Sequence, residues 1–264
     1  MKLHHSSASP NSRRVRMFIA EKSLDVELVA VDFASGEHRA EAYRAINPRQ
    51  VVPTLVLDDG TALGEVPVIS RYLDDIQPGP PLFGATAKDK ALAAMWERRI
   101  ELEGFASIME GIRNKAPGLK NRAIAGPHDY AQIPALVERS VQRVGNLFAD
   151  VDALLADRPF VAGAAFSVAD ITLLVTVDFA AKALDLRGRR RAREPAPLVR
   201  ERGGAAERAR LIDSVHRRDG PDVGPSRRRA ASQSLQSRTC SSNARSSPSP
   251  APSAWACTVD RRWR

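Results

Sequence analysis

The sequence predicts a small α/β domain followed by an all-helical one. Three observations carry this reading. Strand-like and helix-like segments follow one another in the order βαβαββα between Lys2 and Ile76. A break rich in proline, Pro78-Gly79-Pro80-Pro81, comes next. Beyond it apolar residues recur at helical spacing, with no strand alternation, as far as Leu186.

The elements follow in order. Lys2–His5 reads as a first strand. Ser9-Pro10-Asn11 opens a helix, with Ser as N-cap and Pro in the first turn, and Val15, Phe18 and Ile19 form its apolar face. Val26, Leu28 and Val31 have strand character, and Glu37–Ile46 reads as a helix that must end at Asn47-Pro48. Val51–Leu57 is a β-branched run, Asp59-Gly60 a hairpin turn, and Thr61–Leu63 the returning strand. Glu65–Ile76 reads as a helix. In the second part Leu92, Met95, Trp96, Ile100 and Leu102 mark one helix, and the apolar positions from Ile133 to Leu155 mark a long one. Ser167-Val168-Ala169-Asp170 is a capping box, with Phe166 against Ile171 as a staple.

Composition divides the chain differently. The formal charge of +9 suggests an anionic partner. Yet residues 1–186 carry 21 Lys+Arg against 24 Asp+Glu, and residues 187–264 carry 19 against 7. Both cysteines, Cys240 and Cys257, also lie in the second segment. The first 186 residues therefore exclude a disulfide framework, a Cys-x-x-Cys redox pair and a cysteine zinc site. No apolar run approaches the roughly 18 residues of a membrane span, and no signal peptide opens the sequence.

Several of these residues together resemble a known family. Ser9-Pro10-Asn11, Arg13-Arg14-Val15-Arg16, Asn47-Pro48, Val52-Pro53-Thr54-Leu55, Asp58-Asp59-Gly60, Glu65 and Phe166-Ser167-Val168-Ala169-Asp170 stand in the order and spacing of the soluble glutathione S-transferases, close to the bacterial theta- and phi-like kind. The resemblance covers residues 1–186. It implies a thioredoxin-like N-terminal domain over 1–80, a helical C-terminal domain over 88–186, and a separate segment over 187–264. It also implies a cytoplasmic homodimer that conjugates the thiolate of glutathione to small electrophiles, with glutathione as co-substrate and no metal. Membrane and nucleic acid are not among the implied partners. A glutathione-binding or protein-interaction module of the same fold, catalytically impaired, is the alternative.

The resemblance also implies roles for single residues. Ser9 would be the catalytic hydroxyl, with Ser6, Ser7 and Asn11 as rivals. A thiol of pKa roughly 8.5 must lose about two units to be mostly ionised at neutral pH, which takes about 2.7 kcal/mol. A hydroxyl aimed at sulfur and a helix N-terminus are suited to supply that. Pro53 would be cis, so that Val52 offers its N–H and C=O to the cysteinyl backbone of glutathione. Glu65 would hold the γ-glutamyl ammonium. The neighbouring position, usually Ser, is Val66 followed by Pro67, so one hydroxyl donor is lost while the Val66 amide remains. Asn11 would contact glutathione, His38 and Arg39 would meet its glycyl carboxylate, and His5 would line the site. Met95, Trp96, Arg99, Met109 and Arg113 would line the electrophile pocket between the domains.

Residues 187–264 carry 19 Arg, no Lys, no Phe and no Tyr, and almost no apolar periodicity. Such a composition predicts disorder. A basic nucleic-acid-binding arm, a plain extension and a shifted reading frame all fit it. The codons of Gly188–Arg210 can be chosen so that reading one nucleotide later yields a string like the family's final helix. That points to a single-base frameshift near Arg187.

Overall fold

The computed structural model describes residues 1–186. The expectations for 187–264, including disorder and the frameshift, lie outside the described residues.

Four strands form one sheet in the order β2-β1-β3-β4. They are β1 (Lys2–His5), β2 (Glu27–Ala30), β3 (Thr54–Val56) and β4 (Ala62–Leu63). β2 runs parallel to β1, with Leu3 opposite Leu28. β3 is antiparallel to β1, with His4 opposite Thr54. β4 is antiparallel to β3, with Leu55 opposite Leu63. This register decides where the loops go. β1 and β2 end, and β3 begins, at the same end of the sheet, and β4 also finishes there. The segments that follow β1, β2 and β4, and the one that precedes β3, are therefore neighbours.

Helix α1 (Pro10–Lys22) starts as its sequence dictates, with Pro10 in the first turn and Ser9 as N-cap. Ser23 ends it in the left-handed conformation. Lys22, fully buried, donates to the Gln77 and Pro78 carbonyls at 2.7 and 3.2 Å and pairs with Asp74. A cation among C-terminal carbonyls meets the negative end of the helix dipole, which ties α1 to the end of α3 (Val66–Ile76).

Two expected boundaries move. The helix expected over Glu37–Ile46 is a 3₁₀ turn, Glu37–Arg39, and a separate α2, Glu41–Ile46. Ala40 between them is extended, at φ −66° and ψ 154°. The strand expected over Val51–Leu57 shortens to Thr54–Val56, because Asn47 and Tyr43 bond the Val51 carbonyl and take it out of the ladder.

The second half is helical. α4 (Ala87–Ile100) begins with a capping box between Thr86 and Asp89. It passes through a π-helical turn, Glu101–Phe105, directly into α5 (Ala106–Lys115). Gly104 lies in that turn at a close approach of helices: a Cβ there would stand 2.5 Å from the Leu147 side chain and 2.9 Å from that of Thr176, which would have to shift. α6 (Ala135–Leu154) and α7 (Val168–Leu184) complete the half. At the start of α7 the Asp170 carboxylate accepts from the Ser167 N–H and hydroxyl, and from the Val161 N–H at 2.8 Å.

One apolar core joins the halves. Leu3, Val15, Phe18, Leu55, Ile69 and Leu73 pack with Phe105, Val168, Ile171 and Val175. A second core, with Trp96, Ile100, Leu147, Val151 and Val161, lies within the helical half. Among the described residues no helix is long and apolar enough to cross a membrane.

Candidate functional site

The residues singled out in the first domain gather at the end of the sheet that the register defines. The turn after β1 is closed by the Ser9 N–H donating to the Ser6 carbonyl at 3.1 Å. Ser6 donates its own N–H to Ser12 Oγ at 3.2 Å. Ser9 is 6% exposed, and its Oγ accepts from the Ser12 N–H at 3.2 Å. That is the N-cap bond. It uses an acceptor lone pair and leaves the hydroxyl proton without an acceptor among the described residues. Ser7 is exposed. The amide oxygen of Asn11 accepts from Arg14 Nη1 at 3.4 Å.

Behind this turn stands Arg16, which sequence reasoning had read only as part of a motif. It is buried, and its Nη1 reaches both the Ser6 carbonyl (3.2 Å) and His5 Nδ1 (2.9 Å). A guanidinium can only donate, so His5 Nδ1 holds a lone pair there. His5 thus braces the turn from behind. Burial, reinforced by the charge of Arg13, pushes Arg16 down to about 10. A half-desolvated cation under the first turn of α1 adds to the positive potential at the helix N-terminus.

The Val52–Pro53 peptide is cis. Neither backbone group of Val52 pairs with another backbone group among the described residues. The loop before it is held by side chains. Tyr43 Oη donates to the Val51 carbonyl at 2.7 Å and meets Thr54 Oγ1 at 3.0 Å. Asn47 Nδ2 donates to the same two atoms at 3.0 and 2.8 Å, and its Oδ1 accepts from the Arg49 N–H at 2.9 Å. Tyr43 and Thr54 were not recognised in the sequence as site-building residues. Their one signal was polar groups inside a segment that otherwise reads as buried.

Glu65 is exposed and precedes α3 with φ 62° and ψ 126°. Val66 is buried at the first position of α3, and Pro67 follows. Because Pro67 has no N–H, Val66 and Val68 supply the free amides of this helix start. His38 lies in the 3₁₀ turn after β2, its ring 4.6 Å from that of Phe33. Its Nδ1 is buried without a partner. Burial first, then the charges of Arg122, Arg39 and Arg113, hold this imidazole below its usual range.

The residues expected to line a pocket between the halves do not stay together. Trp96 is buried in the helical half's own core. Arg99 pairs with Glu103 and with Asp150 of α6, and Met95 is exposed. These three face away from the sheet. Met109 packs on the core shared by both halves, and Arg113 lies one turn further along the same face of α5. The π-turn inserts between the two sets and rotates them apart, a shift that helical spacing alone does not register.

Arg14 crosses between the halves. It is 2% exposed, donates to Glu97 and Glu101 at 3.4 and 3.1 Å, and lies over the Phe105 ring at 5.1 Å. Desolvation raises the Glu97 carboxyl above its ordinary range, against the pull of Arg14. Among the described residues no group of three or more His, Cys, Asp and Glu is arranged to hold a metal ion.

Comparison with known proteins agrees with this architecture. Residues 3–81 match the family model of the glutathione S-transferase N-terminal domain, and residues 134–201 that of the C-terminal domain. Glutathione S-transferase 2 of Saccharomyces cerevisiae is 32% identical over 199 residues, 69% of this chain and 76% of the relative. Maleylacetoacetate isomerase of Pseudomonas aeruginosa is 31% identical over 180 residues, 66% of this chain and 78% of the relative. The crystal structure of Gtt2 from Saccharomyces cerevisiae is similar with a TM-score of 0.63 at 30% identity, over 84% of this chain and 98% of that one. A glutathione S-transferase domain-containing protein of Marinobacter aquaeolei VT8 gives a TM-score of 0.62 at 34% identity, over 70% and 88%. With both halves matched and a relative this similar over most of its length, the chain belongs to the glutathione S-transferase family.

Proposed function

We propose that this chain is a glutathione transferase that joins the sulfur of glutathione to a small electrophile, with Ser9 holding the thiolate. One observation supports the reading above all. The segments bearing Ser9, His38, Val52 and Glu65 adjoin one end of the sheet, far apart in sequence and adjacent in space. A tripeptide with an amino-acid end, a central thiol and a terminal carboxylate suits that row. Glu65 and the Val66 amide meet its γ-glutamyl end, the unpaired Val52 backbone its cysteinyl unit, and His38 and Asn11 border the rest.

The chemistry follows from the turn after β1. The thiol gives its proton to solvent. The thiolate sits at the N-terminus of α1, where the Ser9 O–H donates to it and the helix dipole favours negative charge. Sulfur then attacks the electrophilic carbon, a C–S bond forms, and the leaving group departs with its electron pair. With no cysteine in residues 1–186, a disulfide between this site and glutathione is not part of the scheme. Homodimer formation and a cytoplasmic location belong to the same proposal. The exposed Met95 and Leu102, seven residues apart, and Val68 on α3 are apolar surface that such a dimer would cover.

Glutathione-agarose retention and conjugation of glutathione to 1-chloro-2,4-dinitrobenzene test the reading. Ser9→Ala should lower kcat at least about tenfold, as for a contact made chiefly with the ionised sulfur. It should raise the pH midpoint of bound thiol and leave glutathione affinity nearly unchanged. Full activity in Ser9→Ala together with loss in Ser7→Ala or Asn11→Ala would transfer the role. The replacement of a hydroxyl by Val66 favours a second reading, a binding module without turnover. Retention on glutathione with no conjugation of any electrophile would establish that one.

A further inference from the structure

Helix α1 carries four cations, Arg13, Arg14, Arg16 and Lys22. Three of them are met by carboxylates from the elements packed around the helix. Arg13 pairs with Asp178 of α7 at 2.6 Å, Arg14 with Glu97 and Glu101 at 3.4 and 3.1 Å, and Lys22 with Asp74 of α3. Arg16 is the exception. Among the described residues it makes no ion pair, and the charge that acts on it is that of another cation, Arg13. Glu21, the acidic residue of α1, lies at the far end of the helix. The remaining charged groups of α3 and α7 are either exposed, as Arg71, Asp75 and Lys182 are, or bound at the start of α7, as Asp170 is. On β1, Lys2 pairs with Glu27, and His4 lies against Tyr43.

Arg16 is only 8% exposed, so bulk water does not stand in for the missing partner. A charge at that depth is costly unless an anion meets it. Burial lowers the guanidinium only to about 10, and it keeps its proton at neutral pH. Its Nη1 donates to the Ser6 carbonyl and to His5 Nδ1, while its Nη2 is buried and has no partner among the described residues. The place of this charge is specific, because Ser6 is the hub of the turn after β1. The Ser6 N–H donates to Ser12 Oγ, the Ser12 N–H to Ser9 Oγ, and the Ser9 N–H to the Ser6 carbonyl. The three serines thus close a ring of hydrogen bonds that fixes the Ser9 hydroxyl at the N-terminus of α1. Arg16 enters this ring from behind, on the same carbonyl that Ser9 holds.

We propose that Arg16 is a positioning residue for the transfer: bonded to the Ser6 carbonyl behind Ser9, it supplies the charge that keeps the glutathione sulfur ionised, and the thiolate is the anion that the fold itself leaves out. The assignment rests on the glutathione-transferase reading and names what sets the acidity of the sulfur. In the reaction the S–H bond breaks, the proton goes to solvent, and the electron pair stays on sulfur. That pair then forms the C–S bond as the leaving group departs with its own. Arg16 acts on the first of these steps, through the potential at the turn. Other groups bordering the site do not replace it. Glu65 is an exposed acid and opposes a second negative charge, and His38, held below its usual range, is neutral at neutral pH.

The test follows the ionisation of bound glutathione across pH, read as the ultraviolet absorbance of the thiolate, with the full-length chain. In the wild type the midpoint should lie about two units below the roughly 8.5 of a free thiol. Arg16→Gln keeps a donor for the Ser6 carbonyl and removes the charge, and it should raise the midpoint by about one unit or more. Arg16→Lys restores the charge without the fork and should recover most of that shift. Arg158→Gln, at an exposed arginine elsewhere, should leave the midpoint in place. In Arg16→Gln, kcat/KM for 1-chloro-2,4-dinitrobenzene should fall about tenfold below the wild-type midpoint and converge on wild type at high pH. A merely structural loss would lower the rate by one factor at every pH. S-methylglutathione, which has no thiol to ionise, reports the integrity of the site: Arg16→Gln should bind it as the wild type does, while binding glutathione more weakly at neutral pH. A wild-type midpoint at the free value overturns the proposal whichever variant folds. So does a full-unit rise in Arg16→Lys with S-methylglutathione affinity intact. An unchanged midpoint in an Arg16→Gln chain that conjugates normally overturns the role of Arg16 and leaves the transferase reading standing. An Arg16-dependent midpoint in a chain that conjugates no electrophile would support the role and remove the transferase reading.

Discussion

Glu65 holds φ 62° and ψ 126°, a conformation that a residue with a Cβ adopts at a cost of about 1–3 kcal/mol. It has no capping bond to its own helix that would repay this. Strain kept at an exposed acidic residue beside a helix start is what a ligand contact would require. Glu65→Gly separates the two effects. It should raise the midpoint of thermal unfolding by relieving roughly 1 kcal/mol of strain, while glutathione affinity falls about tenfold through loss of a charge-assisted hydrogen bond. Glu65→Gln should weaken glutathione to a similar degree without the thermal gain. Melting curves and calorimetry on the pair decide it: unchanged affinity in both would move the γ-glutamyl end elsewhere. Ser9 illustrates the same economy. Its oxygen caps α1, and its proton has no acceptor among the described residues.

At the scale of elements, the site depends on segments that are not regular structure. The 47–53 loop carries Val52, yet its shape is set by two side chains, Tyr43 and Asn47, converging on the Val51 carbonyl and Thr54. Asn47→Ala removes two donors and the acceptor of the Arg49 N–H at once. It should raise KM for glutathione about tenfold or more, as roughly 1.5–3 kcal/mol of positioning bonds are lost, with kcat at saturation much less affected. Tyr43→Phe, which leaves Asn47 in place, should give the same pattern more weakly. A fall in kcat with KM unchanged would mean that the loop acts on the chemistry rather than on binding. The turn after β1 is built likewise, on Ser6, Ser12, His5 and Arg16. Most of this was illegible in the sequence, because hydrogen bonds to a loop carbonyl leave no periodic pattern.

Across the whole molecule, the contact between halves combines an apolar core with one buried charge network. Arg14→Met leaves Glu97 in the interface with its buried partner gone, and removing one member of a buried pair costs about 3–5 kcal/mol. Unfolding in urea should show that loss, and adding Glu97→Gln to it should recover much of the stability. Glu97 also sets a pH dependence. Its carboxyl titrates higher in the folded chain than in the unfolded one, chiefly through burial. The folded state therefore holds the proton more tightly, and this contribution is complete below the unfolded value of about 4.3. It is lost as pH rises through the raised folded value. The stability of wild type relative to Glu97→Gln should thus fall as pH rises above about 4.3. A difference that grows with pH over that range would show that Arg14 dominates the burial.

What the sequence determined by itself was local. Ser9-Pro10 started α1, Asp59-Gly60 turned β3 into β4, and Ser167 with Asp170 started α7, because each signal acts through backbone groups within about four residues. The motif order was enough to name the family and to place Ser9, Val52 and Glu65 on segments that the sheet register makes neighbours. Only tertiary structure decided which side of the long α4–α5 helix meets the sheet, since the π-turn offsets the two halves of its period. Only tertiary structure decided the fate of the charges. Arg13-Arg14-Val15-Arg16 shows three cations with no partner in the neighbouring sequence, yet Arg14 is buried against carboxylates 83 and 87 residues away and Arg16 against the turn before it. The charge of Arg113 likewise acts on His38, 75 positions earlier in the sequence. Burying a charge is tolerable only where a distant partner arrives to meet it, and which partner arrives is a property of the folded chain.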